Sequence, residues 1–167
     1  IALEAHQQNS MLDVGSGYPS VSYYRDNQGF YLSERYRSLI AGHVPETEGI
    51  ASLYFAESEI RDRFAYYLIV NQVFSVISRM GHDGLCDESL LLRELRAHIE
   101  RYATRMSGAG RDFARHVLDL PTIVSKANLT TRLYDVDELQ SDNAPTLYRP
   151  VSNPLRAPAA LTVARTS

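Results

Sequence analysis

A polar cluster near the start of the chain brings together side chains that commonly bind ligands or stabilise charge. Residues 4–9 contain Glu4, His6, Gln8 and Asn9, which are a carboxylate, an imidazole and two amides. An imidazole in such a cluster can polarise a carboxylate or stabilise an oxyanion. A lone histidine at the boundary of an element can also serve packing alone. The cluster therefore leaves both roles of His6 open.

Two short β-favouring runs, residues 11–14 and 21–25, follow the cluster and are separated by a turn rich in Gly and Ser. An antiparallel hairpin with its turn centred near residue 18 sets Asn9 beside Asp26. An amide oxygen and a carboxylate are hard donors that suit Mg²⁺ and the phosphates it accompanies. The alternative is that both side chains hydrogen-bond to turn backbone. The hairpin thus predicts that Asn9 and Asp26 are neighbours and leaves open what they hold.

The basic residues are unusually uneven, because sixteen are Arg and only Lys126 is Lys. A coding bias toward Arg explains the sixteen without any function. It does not explain the exception. An ammonium is a compact, strongly hydrated point charge on a flexible stem, and a forked guanidinium is not equivalent to it. Lys126 is therefore a candidate functional residue, with coding accident as the alternative.

Composition excludes several classes of function. Seventeen basic and twenty acidic side chains give a formal net charge of -3, and no basic run suits a nucleic acid. Apolar stretches are far shorter than the roughly 20 residues that cross a bilayer. The single cysteine, Cys86, rules out a disulfide framework, a thiolate zinc site and a cysteine-ligated iron–sulfur cluster, and fits a reducing cytoplasm. Because the chain starts at Ile1 without an initiator methionine, we expect a piece of a longer protein.

The elements that position these residues follow an α+β pattern. Residues 30–32 come after a second turn and are predicted to extend the hairpin to a three-stranded antiparallel meander. Apolar residues then recur at helical spacing on two sides of one long stretch, which predicts a central helix. Asp87 is suited to cap a later helix. The predicted helices cover residues 33–42, 56–80, 87–107 and 110–119. The fold class is therefore α+β, with a small β-meander packed on a helical bundle.

Prolines concentrate at the end of the chain, where helical periodicity is lost. Four of the seven prolines are Pro145, Pro150, Pro154 and Pro158. Such a segment predicts an extended, Pro-rich C-terminal arm that returns across the surface and runs into a disordered tail. The predicted organisation is one domain over residues 1–155 and a tail over 156–167.

Four motifs in matching order carry a resemblance to a known family. They are residues 2–9 (ALEAHQQN), 25–29 (RDNQG), 126–133 (KANLTTRL) and 151–155 (VSNPL). Together they resemble the C-terminal part of the NRPS-independent siderophore synthetases, the aerobactin-synthetase family. The resemblance runs from residue 1 to about residue 155 and includes the predicted central helix.

The resemblance implies an enzyme of siderophore biosynthesis. Such enzymes use ATP and Mg²⁺ to condense citrate or a related carboxylic acid with an amine or an alcohol through an acyl-adenylate. Pyrophosphate leaves first and AMP second. The phosphate-binding Ser and Arg of the family lie upstream of these motifs, so the resemblance implies that this chain holds half of the site, that its partner is the missing N-terminal part of the same protein, and that the isolated piece is inactive. A homodimer is also possible.

Carried over by motif, the resemblance assigns roles to five side chains. His6 contacts the substrate carboxylate, and Gln8 and Asn9 line the nucleotide site. Asn9 and Asp26 hold Mg²⁺, and Lys126 meets a citrate carboxylate. Three further residues of the same motifs are substrate candidates whose individual roles stay open: Glu4, Arg25 and Arg132.

Two other interpretations compete with this one. The same region has been likened to ferric reductases, but that chemistry needs a cysteine-ligated cluster and Cys86 stands alone, so we set it aside. The rival class is a non-catalytic helical scaffold or dimerisation module left from such a synthetase. A titration with Mg²⁺-ATP discriminates, because a scaffold shows no nucleotide effect.

Overall fold

The computed structural model describes residues 2–25, 30–126 and 148–156. Its strands are short: β1 (Ala2–Leu3), β2 (Ser10–Asp13), β3 (Val21–Tyr24), β4 (Phe30–Ser33), β5 (Tyr54–Phe55), β6 (Thr122–Lys126) and β7 (Tyr148–Ser152). The helices are α1 (Arg37–His43), α2 (Glu57–Phe64), a π-helix (Ala65–Phe74), α3 (Ser75–His82), α4 (Glu88–Arg105) and α5 (Gly108–Asp119). Single 3-10 turns lie at Glu34–Tyr36, Pro45–Thr47 and Ala51–Leu53. Small sheets beside a helical bundle confirm the α+β prediction.

The predicted hairpin is confirmed. Strands β2 and β3 pair antiparallel with Ser10 opposite Tyr24, and the ladder continues one step further, where the Arg25 N–H donates to the Asn9 carbonyl at 3.1 Å. Gly17 in the connecting turn has φ of 87°, a left-handed conformation that glycine adopts without strain. The turn chemistry therefore fixes the register that places Asn9 at the open end of the hairpin.

The predicted third strand of the meander pairs elsewhere, which corrects the topology within the described residues. Strand β4 pairs antiparallel with β1 and parallel with β5, in the order β1-β4-β5. The reason is burial. Strands β2 and β3 are exposed along almost their whole length, so they offer no apolar face for packing. Strand β4 is half-buried and lies with β1 against α2, and this packing decides its partner.

The predicted central helix is confirmed as one continuous helical stretch, formed by α2, the π-helix and α3. Its middle has the wider π geometry. Helices of this type are rare overall, but those that occur are often found at functional sites. This segment also holds much of the buried apolar surface, including Ala65, Tyr66, Tyr67 and Ile69. A helix that is apolar on more than one side is thereby confirmed as the central element of the bundle.

Helix α4 begins where the sequence predicts it. The Asp87 carboxylate accepts a hydrogen bond from the Leu90 N–H at 2.9 Å, which makes Asp87 the N-cap. Hydrogen bonds from the Ser89 hydroxyl and from that backbone N–H lower the pKa of Asp87. Helix α5 then ends just before Pro121, as predicted.

The described part of the arm is extended, as predicted, and returns as a strand. Strand β7 pairs antiparallel with β6, with Ser152 opposite Thr122 and Tyr148 opposite Lys126. Beyond the strand, Leu155 is buried in the core beside Val117 and Ile123. Residues 157–167, nearly all of the predicted tail, lie outside the described residues. Within the described ranges, none of the helices combines the length and apolar character needed to cross a bilayer.

Candidate functional site

The polar cluster of residues 4–9 connects β1 to β2 as a compact turn. The His6 N–H donates to the Glu4 carbonyl at 2.8 Å, and the His6 carbonyl accepts from the N–H groups of Asn9 and Ser10 at 3.0 and 3.1 Å. These backbone bonds fold the segment back on itself. As a result, side chains that are two to five residues apart converge on one place.

Three of the predicted site residues contact one another there. Asn9 is only 3% exposed, and its Nδ2 donates to the Glu4 carbonyl at 3.2 Å and lies 3.4 Å from His6 Nε2. His6 Nε2 is also 3.9 Å from Glu4 Oε2. One ring nitrogen of His6, Nε2, therefore lies near both a carboxylate and an amide. Such a group can exchange hydrogen bonds with an incoming anion while its ring is held in place.

A tyrosine that the sequence analysis did not select completes the polar contacts of Glu4. The Tyr31 hydroxyl donates a hydrogen bond to Glu4 Oε1. Burial, followed by the hydrogen bond to Glu4 and the charge of that carboxylate, raises the pKa of Tyr31 to about 12. The Arg63 guanidinium lies over the Tyr31 ring, 4.9 Å from its centroid. Tyr31 therefore stays a neutral hydrogen-bond donor over the whole physiological range.

The π-helix supplies an aromatic wall behind the cluster. The ring centroid of Tyr67 is 5.6 Å from that of His6 and 6.5 Å from that of Tyr31, with the two tyrosine rings nearly parallel at 14°. In the sequence, Tyr67 is one of the apolar positions whose spacing predicts the central helix. Its helical spacing carries no other signal. For Tyr31, the signal was its place in a β-favouring run after the second turn, which did not reveal its partner.

The two glutamines of the cluster differ in their surroundings. Gln7 Nε2 donates to the Ser75 hydroxyl and lies 3.5 Å from the Asn71 carbonyl, so this side chain fastens the turn to the central helical stretch. Gln8 is exposed. The Asn71 amide on the same helical stretch lies 3.5 Å from the Tyr66 hydroxyl. Gln7 is therefore an anchor that the sequence analysis missed.

The remaining predicted site residues are less fully described. Arg25 is exposed, with its N–H bonded to the Asn9 carbonyl. Lys126 is the last residue of β6, and its side chain is not among the described groups. Asp26 and Arg132 lie outside the described residues, so the predicted proximity of Asn9 and Asp26 stays a prediction. Across the part of the chain that the structure describes, no three His, Cys, Asp or Glu side chains group as a metal site requires.

Comparison with known proteins identifies the family of this chain. A family model described as "Ferric iron reductase FhuF-like transporter" matches residues 1–141. The chain therefore belongs to the FhuF-like family.

Curated relatives then narrow the resemblance to particular enzymes. The chain is 40% identical to the spermidine-citrate ligase of Bacillus anthracis and 36% identical to the rhizobactin siderophore biosynthesis protein RhbC of Rhizobium meliloti. Each match covers 93% of this chain and 26% of the relative. The chain thus spans about a quarter of the length of these relatives. The resemblance to the siderophore synthetases, predicted from the four motifs, is confirmed.

A solved structure gives the same result at the level of the fold. The ATP-bound aerobactin synthetase IucA from a hypervirulent pathotype of Klebsiella pneumoniae superposes with a TM-score of 0.76 at 26% sequence identity. The match covers 93% of this chain and 26% of the synthetase. The reductase named in the family description contrasts with these relatives, whose names are those of siderophore enzymes and citrate ligases.

Proposed function

We propose that this chain forms part of a siderophore synthetase that joins citrate, or a related carboxylic acid, to an amine or an alcohol at the expense of ATP. The observation that carries the proposal is the contact between Glu4, His6 and Asn9, made within a segment that matches named citrate ligases. A buried amide, an imidazole and a carboxylate at one turn form a site that can orient a polyanionic acid.

The proposed reaction has two steps. An oxygen of the acid attacks the α-phosphorus of ATP, the bond to the β-phosphate oxygen breaks, and pyrophosphate leaves. The nitrogen or oxygen of the second substrate then attacks the acyl carbon, loses its proton, and AMP leaves. Both partners of the first step are anions, so the site must offset their repulsion. His6 is proposed to donate to the acid, and no protein nucleophile is required.

The proposed nucleotide site uses residues of the first and second motifs. The structural neighbour is described as ATP-bound, which supports ATP as the cosubstrate. Gln8 and Asn9 are proposed to line the nucleotide, and Asn9 with Asp26 to hold Mg²⁺. Amide and carboxylate oxygens are the hard donors that this ion prefers. When bound, Mg²⁺ would neutralise phosphate charge. Lys126 is proposed to meet a carboxylate of the acid.

The proposal assigns this chain half of a site. Since the relatives are about four times as long, the acid and the second substrate are expected to be bound together with the rest of the protein. On this proposal, Glu4, Arg25 and Arg132 contribute to the substrate side, and the isolated chain has no turnover. We also propose that the protein works in the reducing cytoplasm and that it forms a homodimer.

The reductase chemistry in the family description is not adopted. An iron–sulfur cluster held by thiolates needs several cysteines, and this chain contributes only Cys86, which is free. The competing class is a scaffold without catalysis. One reaction distinguishes a scaffold from a synthetase. The discriminating reaction is exchange of labelled pyrophosphate into ATP, which requires reversible adenylate formation and depends on the acid.

The test uses the complete protein that contains this chain, with Mg²⁺, ATP and citrate. We expect citrate-dependent exchange that His6→Asn lowers by about 10²- to 10³-fold, the usual cost of losing one group that stabilises developing charge. The matched control is His82→Asn, an exposed histidine at the end of α3, which should retain full exchange. Absence of citrate-dependent exchange in the parent protein, or an equal loss in both variants, would contradict the proposal.

The magnesium assignment has its own test. Asp26→Ala in the same protein should abolish citrate-dependent pyrophosphate release and leave the thermal midpoint nearly unchanged, because a carboxylate kept for a metal adds little to stability without it. A large fall in thermal midpoint would instead identify Asp26 as a structural cap.

A further inference from the structure

We propose that Tyr31 is a positioning residue whose hydroxyl fixes the Glu4 carboxylate against the His6 imidazole. The inference rests on the proposed function for its kinetic consequences, and on the described contacts for its geometry. Tyr31 belongs to none of the four motifs that carry the resemblance. It is placed beside them by a strand pairing that links distant parts of the chain.

The two oxygens of Glu4 have different neighbours. Oε1 accepts the hydrogen bond of the Tyr31 hydroxyl, and Oε2 lies 3.9 Å from His6 Nε2. A free glutamate side chain rotates and presents either oxygen. With one oxygen bound to Tyr31, the other points toward the imidazole. The backbone carbonyl of Glu4 is held as well, since it accepts from Asn9 Nδ2 at 3.2 Å.

Tyr31 is itself held firmly from several sides. In the β1–β4 pairing it lies opposite Ala2, two residues before Glu4. Its ring meets that of Phe55 edge-on, with centroids 5.2 Å apart, and stacks on Tyr67 at 6.5 Å. The Arg63 guanidinium covers the ring face at 4.9 Å. Its rotamer is therefore set by packing, as a group that orients another side chain requires.

The chemistry of the phenol suits this task. The pKa of Tyr31, raised to about 12, keeps the proton on its oxygen, so it donates to Glu4 at every pH at which an enzyme of this kind works. The nearby Tyr67 also contacts the His6 ring, with centroids 5.6 Å apart. His6 thus has a held carboxylate and an aromatic ring as neighbours. The Glu4 carboxylate depends on a hydrogen bond from the Tyr31 hydroxyl, which also shares a hydrogen bond with Tyr67.

The first experiment measures the His6 ring directly in the 167-residue chain. Long-range proton–nitrogen NMR spectra report the tautomer and charge of each imidazole, and His6→Asn assigns the signals. Tyr31→Phe and Glu4→Gln should each move the His6 signals. The matched control is Tyr54→Phe. It removes a hydroxyl that donates to Thr47 Oγ1 at 3.0 Å and not to Glu4, so it should leave the His6 signals unchanged. Unchanged His6 signals in Tyr31→Phe would overturn the proposal.

The second experiment measures coupling in the complete protein. Tyr31→Phe keeps the ring and should lower the kcat of citrate-dependent exchange by about 10- to 100-fold, the cost of a small misplacement near a reacting group. The KM for ATP should change less than about twofold, because Tyr31 is proposed to act through Glu4, on the substrate side of the site. In a Glu4→Ala background, which leaves no side-chain oxygen to accept the Tyr31 hydroxyl, Tyr31→Phe should have no further effect on kcat, since Tyr31 acts through Glu4.

The outcomes of the two experiments are separable. Additive kinetic losses in the double variant, or equal losses in Tyr31→Phe and Tyr54→Phe, would overturn the positioning role. A parent protein without citrate-dependent exchange would refute the proposed function alone, because the NMR comparison of Tyr31→Phe with Tyr54→Phe still decides whether Tyr31 holds the Glu4–His6 pair.

Discussion

Removing the Asn153 side chain should destabilise the protein by about 3 kcal/mol. Asn153 is 6% exposed, and its Nδ2 donates to the carbonyls of Val117 at 2.7 Å and Leu120 at 2.9 Å. Its Oδ1 accepts from the Leu155 N–H at 3.0 Å. Asn153→Ala leaves these backbone groups without the partner. Each buried group so orphaned costs about 1 to 3 kcal/mol, and those of Val117 and Leu155 are the buried ones.

The assay is equilibrium unfolding in urea followed by circular dichroism, together with a thermal scan. At this chain length, each kcal/mol lowers Tm by about 2 to 4 °C, so we expect a fall of about 6 to 12 °C. The slope of unfolding free energy against urea should stay the same, because the surface exposed on unfolding barely changes. The matched control is Ser152→Ala, an exposed neighbour, with an expected change within about 0.5 kcal/mol.

A second substitution separates hydrogen bonding from lost volume. Asn153→Asp keeps the size and the acceptor for Leu155, but it turns an acceptor oxygen toward the carbonyls of Val117 and Leu120. It should therefore destabilise the protein at least as much as Asn153→Ala. A stable Asp variant, or an Ala variant as stable as Ser152→Ala, would refute the reasoning.

Three further predictions address single side chains. Tyr31 has a pKa raised from 10.0 to about 12, so the stability it contributes is complete below pH 10 and is lost as pH rises to about 12; unfolding of Tyr31→Phe should depend less on pH in that window, and ultraviolet titration should show one phenol fewer. Asp87 has a lowered pKa, so its contribution is present above its ordinary pKa and lost as pH falls; Asp87→Asn, which still caps α4, should show a weaker acid dependence of unfolding by circular dichroism. Lys126→Arg should raise the KM for the acid or stop pyrophosphate exchange, and normal kinetics would make the lone lysine a coding accident.

Local chemistry explains what the sequence could predict. The hairpin follows from a turn rich in glycine between two β-favouring runs, and the cap of α4 follows from Asp87 before an apolar repeat. Both signals lie within a few residues of the feature they predict. The polar cluster of residues 4–9 is local in the same sense, since His6 and Asn9 are three residues apart and lie together in the structure. Such features can be predicted because they depend on neighbouring residues and not on packing against distant segments.

Long-range packing explains what the sequence could not predict. The strand that pairs with β4 depends on which strand packs against α2. The residue pattern along β4 does not indicate which strand that is. The contact of Tyr31 with Glu4 joins residues 27 positions apart and follows from the same pairing. The π geometry between Ala65 and Phe74 is likewise invisible in an apolar repeat. Each of these features decides how the candidate site is assembled.

The π-helix (Ala65–Phe74) contacts both segments that hold the proposed site, the turn with His6 and the strand that ends at Lys126. Its Tyr67 contacts the ring of His6, and strand β6, which ends at Lys126, packs against the same segment. Strand β6 is held in turn by β7, whose continuation is anchored through Asn153. The motif around Asn153 therefore has a structural explanation that needs no contact with substrate. On the proposed roles, loss of Asn153 should weaken the site through the position of β6, and loss of Lys126 should weaken it by removing the compact ammonium that meets the acid.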